Sequence, residues 1–228
     1  MSSERTPLSE GSFVSPALRA RVRDLATPIA RGLGRLGLTP NALTVIGFSG
    51  TCVAAFAAAL QLWLVAGILV LAFGIFDLFD GALARATGRA SRFGAFLDST
   101  LDRTGESLVY AGIAVGSMAG QLVEGVILAG LAATFASGVT YTRAKAESLG
   151  LHGEVGFAPR EVRLALLGVG LIATGVAGGL CDGSCFPYLF PPPAGAFPLE
   201  LSLGVIALLS AITVLQRILH VRSQAKEG

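Results

Sequence analysis

An all-α integral membrane fold, six transmembrane helices preceded by an N-terminal amphipathic interfacial helix, is what this 228-residue chain predicts. Three observations lead there. The chain is 53% hydrophobic and only 14% charged, with a mean hydropathy of +0.69, whereas a soluble domain carries about a quarter charged residues. Several apolar stretches reach about 20 residues, the length at which a helix crosses the hydrocarbon core. The 17 Lys and Arg also divide cleanly between the connections, falling on one side of the predicted topology only.

Residues 1–14 are polar and are expected to be mobile. They lack an apolar h-region, so no cleavable signal peptide is expected. Over 15–37, Leu18, Val22, Leu25 and Ile29 recur at helical spacing while Arg19, Arg21, Arg23, Arg31 and Arg35 leave the opposite side basic. That pattern predicts a helix lying in the headgroup region, bent near Pro28. A single six-helix domain is expected over 38–222, with spans near 42–60, 63–85, 94–117, 120–146, 160–180 and 197–220 and a tail over 223–228. The connections at Gln61 and Gly120 are very short, and the fifth is an apolar, proline-rich loop. The abundant glycine, 30 residues, suits close approach of membrane helices. Arginine and lysine cluster in the N-terminal segment, around 85–103, over 143–163 and at the C-terminus, so the positive-inside rule makes both termini cytoplasmic. Cys52 reads as a packing residue in the first span. Cys181 and Cys185 lie in the outer loop, where a disulfide and free thiols both remain open.

Carboxylates stand where lipid should exclude them. Asp77 and Asp80 are three apart near the end of the second span, and Asp98 and Asp102 are four apart at the start of the third. Each pair shares a helix face. A turn near Gly88 to Ala90 would bring all four together just inside the cytoplasmic face. Placing an Asp at a membrane helix centre costs about 2.5–3.5 kcal/mol, and four neighbouring carboxylates cannot all ionise without counter-charge. Arg85, Arg92 and Arg103 could supply that charge as a salt-bridge network. Two divalent ions, Mg²⁺ or Mn²⁺, answer the need more fully, since hard cations prefer carboxylate oxygens. Gly81 and Gly94 let backbone approach a bulky ligand, and Arg85 offers a fork that fits a phosphate. Together these residues describe a pyrophosphate site.

The string Asp77-x2-Asp80-Gly81-x2-Ala84-Arg85-x8-Gly94-x3-Asp98-x3-Asp102 resembles, at all eight fixed positions, the signature of the CDP-alcohol phosphotransferases. That resemblance implies metal ligation by Asp77, Asp80 and Asp98, with Asp102 as general base, ligand or both. It implies a CDP-lipid pocket lined by Gly81, Ala84, Arg85 and Gly94, and by Pro40, Asn41 and Thr44 of the segment before the first span. Asn41 stands where related enzymes often show Asp. The basic cluster of Arg143, Lys145, Arg160, Arg163 and Arg217 suits an acceptor that carries its own phosphate. In this it is similar to the branch of the family that uses inositol phosphate, although Arg143 and Lys145 stand in the order where that branch tends to show Lys then Arg. The same cluster could instead serve only to anchor the protein to anionic lipid.

The resemblance thus implies transfer of a phosphatidyl group from CDP-diacylglycerol to a phosphorylated polyol, inositol phosphate, with release of CMP, in the cytoplasmic membrane, by a homodimer, with no nucleic-acid partner. The alternatives are the same chemistry on glycerol phosphate, another phosphatidyl lipid or serine, and, outside the class, a cation transporter. Transporters often show internal repeats and acidic residues at the midplane; no repeat is evident here.

Overall fold

A computed structural model of the protein describes residues 28, 32, 34–35, 37–88, 90–153, 155–180 and 194–227, with the side chains at 77, 78, 80, 226 and 227 outside that description. The segment 1–14, most of the expected interfacial helix, Arg89, Cys181 and Cys185 therefore lie outside the described residues. The described residues form seven helices and no strand: α1 (Pro40–Ala59), α2 (Trp63–Gly74), α3 (Phe76–Thr87), α4 (Arg92–Ala119), α5 (Val123–Ser148), α6 (Arg160–Val176) and α7 (Ala196–Glu227). Three stretches are long and apolar enough to cross a bilayer: α1, α5 and Ala196–Ala225 of α7. The apolar α2 is shorter. The protein is a helical membrane protein.

Local sequence explains the boundaries. Thr39 caps α1, its Oγ1 accepting from the Ala42 N–H at 3.2 Å, with Pro40 in the first turn. The second predicted segment divides at Ile75 into α2 and α3, immediately after Gly74, whose poor helix propensity favours a break there. Gly88, at φ 65°, ends α3 in the left-handed conformation that glycine adopts without a steric penalty. Ser91 then caps α4 through the Gly94 N–H at 2.9 Å. The short connections after α1 and α4 are built alike. Gln61 (φ 59°) and Gln121 (φ 57°) take the left-handed position, and the following leucines bond back to Ala57 and Ser117. At the C-terminal end, α7 runs on to Glu227, beyond the expected limit of its span; Gln224 in this extension bonds both to the His152 N–H (2.9 Å) and to the His152 carbonyl (2.8 Å).

Packing is made by small residues. A side chain at Gly112 or Gly116 of α4 would run into the Ala55 and Ala58 carbonyls of α1. Gly67 of α2 likewise faces Gly168 of α6, and Gly170 of α6 faces Ser202 of α7. The principal buried cluster gathers Trp63 of α2, Tyr110 and Ile113 of α4, Leu167 and Leu171 of α6, and Leu199 and Leu203 of α7. A second, small cluster of Leu43, Ala82 and Leu83 fastens α3 to α1. Both α3 and α4 pack on α1, and among the described residues they are not a closely packed pair with each other. Among the described residues, direct packing between α3 and α4 does not close the corner that holds the signature.

Candidate active site

The signature residues flank this corner. Asp77 and Asp80 lie in the first half of α3, with Gly81, Ala84 and Arg85 following, while Gly94, Asp98 and Asp102 lie on α4. Gly81 is half-buried, and the exposed Arg85 curls back so that its guanidinium would stand 3.4 Å from a side chain added at Gly81. Gly94 is half-buried too. A Cβ there would meet the Asn41 Oδ1 at 3.0 Å and the Ser91 Oγ at 3.0 Å, so the fold brings the segment before the first span against the start of α4. Pro40 and Asn41 are half-buried, and Thr44 is buried with its hydroxyl donating to the Pro40 carbonyl at 3.2 Å.

Asp98 and Asp102 are half-buried one turn apart on α4. Arg160, the first residue of α6, reaches across to Asp102, with 2.9 Å between its Nη1 and the carboxylate Oδ2. One turn deeper, Glu106 and Arg163 form a second bridge. The Arg163 Nε and Nη2 donate to the two Glu106 oxygens at 2.7 Å each, and its Nη1 donates to the Ala158 carbonyl at 2.8 Å. The Tyr110 hydroxyl donates to Glu106 Oε1 at 3.3 Å. Only 2% of the Arg163 side chain and 6% of that of Glu106 are exposed. Beside them lies a cavity of about 10 Å³ lined by Arg103, Glu106, Ser107, Tyr110, Ser137 and Thr140 among others, roughly the room one water needs.

The remaining basic residues divide by environment. Arg143 is exposed and paired with Glu147 at 2.8 Å, and Lys145 is exposed. Arg217 is buried on α7. Its Nε donates to the Val155 carbonyl at 2.8 Å, and its Nη1 to the Val139 carbonyl. Thr213, one turn earlier, accepts the Phe157 and Ala158 N–H groups at 3.1 Å each. The connection from α5 to α6 is thereby fixed to one face of α7. Sequence reading missed Glu106, Tyr110 and Thr213. Glu106 did carry a signal: it is an acid four residues beyond Asp102, on the same helix face and within a predicted span, the same anomaly that singled out the aspartates.

Among the described residues, no three His, Cys, Asp or Glu side chains gather at one point, and the side chains of Asp77 and Asp80 lie outside that set. The residues on α4 fit a hard divalent cation in kind. Asp98 and Asp102 offer carboxylate oxygens from successive turns at partial burial, and Gly94 keeps the approach free of a side chain.

An open corner bordered by paired acids, close-approach glycines and an arginine fork is the signature site of one class of membrane transferase. The chain belongs to the CDP-alcohol phosphatidyltransferase family, whose family model matches residues 37–177. Its relatives include the phosphatidylinositol phosphate synthase of Mycobacterium tuberculosis, 37% identical over 217 residues that cover 92% of this chain and 90% of that protein. The archaetidylinositol phosphate synthase of Pyrococcus horikoshii is 33% identical over 212 residues, covering 92% and 98%. In structure the chain is similar to the M. tuberculosis phosphatidylinositol phosphate synthase with CDP-DAG bound, at a TM-score of 0.72 and 32% identity over 87% of this chain and 94% of that one. The same enzyme in complex with manganese and citrate matches at 0.71 and 33% identity, over 86% of this chain and 88% of that one. The chain is thus a transferase, and the cation-transporter alternative gives way to the family.

Proposed function

We propose that the protein is a divalent-metal-dependent phosphatidylinositol phosphate synthase, which transfers the phosphatidyl group of CDP-diacylglycerol to inositol phosphate and releases CMP. The observation that carries this reading is the complete eight-position signature in a chain of this family, with Arg160 of α6 reaching Asp102 at 2.9 Å. The relatives named above support inositol phosphate as the acceptor.

Asp77, Asp80, Asp98 and Asp102 would hold Mg²⁺ or Mn²⁺, two ions. The chemistry such ions supply is charge stabilisation along the pyrophosphate and on departing CMP. Pro40, Asn41, Thr44, Gly81, Ala84, Arg85 and Gly94 form the CDP-lipid pocket, where the two glycines admit the pyrophosphate and the Arg85 fork binds it. Asp102 takes the proton from the attacking hydroxyl. The oxygen of that hydroxyl forms a bond to the phosphatidyl phosphorus as the bond to the CMP oxygen breaks. Arg143, Lys145, Arg160 and Arg217 bind the acceptor's phosphate. Arg163, expected in that set from its position in sequence, is engaged by Glu106 and the Ala158 carbonyl, which favours a role in holding α6 in place. Six spans, an interfacial helix over 15–37, both termini and the active site at the cytoplasmic face, and a homodimer complete the proposal. Purified protein given CDP-diacylglycerol, Mg²⁺ and one acceptor at a time tests it. CMP release is expected with inositol phosphate and absent with serine or inositol; release with glycerol phosphate alone would reassign the acceptor.

A further inference from the structure

The two ion pairs between α4 and α6 form a ladder. On α4, Asp102 and Glu106 are four apart; on α6, Arg160 and Arg163 are three apart. The helices themselves are not a closely packed pair among the described residues, so at this level the long side chains bridge a gap that apolar contact does not close. The outer rung is partly open, with 28% of the Arg160 side chain and 20% of that of Asp102 exposed. The inner rung is shut away, bidentate, and extended to Tyr110 and to the Ala158 carbonyl. A buried pair of this kind contributes little net stability compared with apolar residues of the same volume, so its use lies in orientation. It fixes Ala158, and through the single intervening Pro159 it fixes the point where Arg160 begins α6. Thr213 also holds Ala158, and Phe157 before it, by accepting from their N–H groups.

We propose that Glu106 is a positioning residue for acceptor recognition. By clamping Arg163 and the Ala158 carbonyl, it sets the start of α6 so that the Arg160 guanidinium lies at the mouth of the site, over Asp102, where the acceptor's phosphate arrives. Glu106 lies outside the eight-position signature, and its hydrogen bonds run to Arg163 and Tyr110, so its influence is expected on the acceptor side of the site. This inference rests on the proposed acceptor site, and its test separates the two.

The variant to make is the uncharged double replacement Glu106→Gln with Arg163→Met, which removes the inner rung without leaving a lone buried charge. In wild-type protein, inositol phosphate should raise the melting temperature and support CMP release; if it does neither, the acceptor reading itself fails. In the double variant, KM for inositol phosphate should rise about 10- to 100-fold, the worth of one charge-assisted hydrogen bond. The thermal shift with inositol phosphate should disappear, while KM for CDP-diacylglycerol and its thermal shift stay put. Unchanged acceptor binding, or equal losses for both substrates, overturns the positioning role. Should the double variant not fold, Arg160→Met decides: a selective rise in acceptor KM sustains the proposal, and an unchanged one removes the group that Glu106 would position and ends it.

Discussion

At the end of α4 remote from the aspartates, Gly112 and Gly116 bring its backbone against the Ala55 and Ala58 carbonyls of α1, and two similar left-handed turns close the helices beside them. At the aspartate end the same helix is linked to α6 by charge, through Asp102 to Arg160 and Glu106 to Arg163, and among the described residues α3 is not closely packed against it. The first region gains stability from close backbone contact between α1 and α4. The second leaves an opening for a ligand and holds the walls of that opening with directional bonds to the backbone of one connection. Close packing fixes how near two helices lie; hydrogen-bonded charges also fix direction and keep a guanidinium aimed between helices.

Substitutions at the two ends should therefore fail differently. The largest effect is expected at the open end. Asp102→Asn should lower kcat by about 10²- to 10⁴-fold, the usual worth of a positioned base, with little change in melting temperature. EDTA should abolish CMP release from the wild type, and Mg²⁺ or Mn²⁺ should restore it. Glu106→Ala leaves Arg163 charged and unpaired in a buried position, and should destabilise the protein by about 3–5 kcal/mol as read by thermal unfolding in detergent. The Glu106→Gln, Arg163→Met double variant should recover most of that stability.

At the packed end, Gly112→Leu should cost about 1–3 kcal/mol through overpacking and depress activity only through loss of folded protein. A fall in kcat per folded molecule would mean that the two ends are coupled. The smallest effect is expected at the turns: Gln61→Gly and Gln121→Gly each remove a left-handed non-glycine residue and should stabilise by about 1 kcal/mol, seen as a modest rise in melting temperature with unchanged kinetics.

The sequence exposes whatever is local. Apolar runs and the turn near Gly88 predict helices and a corner where they occur, and the spacing of Asp98 and Asp102 predicts two acids on one face. The division at Ile75 was not legible, because an apolar run reads the same whether one helix or two cross it. Nor was the pairing of Glu106 with Arg163, 57 residues apart, or the grip of Thr213 and Arg217 on the α5–α6 connection. Such contacts depend on which helices become neighbours, and periodicity within one helix carries no record of its partners. Arg163 and Arg217 show the consequence: in sequence they look equivalent to Arg143 and Lys145, and only burial separates them.

The measurement that bears most directly on the central claim is CMP release by the purified protein from CDP-diacylglycerol and Mg²⁺, comparing inositol phosphate with unphosphorylated inositol in wild type and in Arg160→Met. Metal-dependent release that requires the acceptor's phosphate, with a selective rise in acceptor KM when Arg160 is replaced, is the predicted result. Equal release with unphosphorylated inositol, unaltered by the Arg160 replacement, would contradict it.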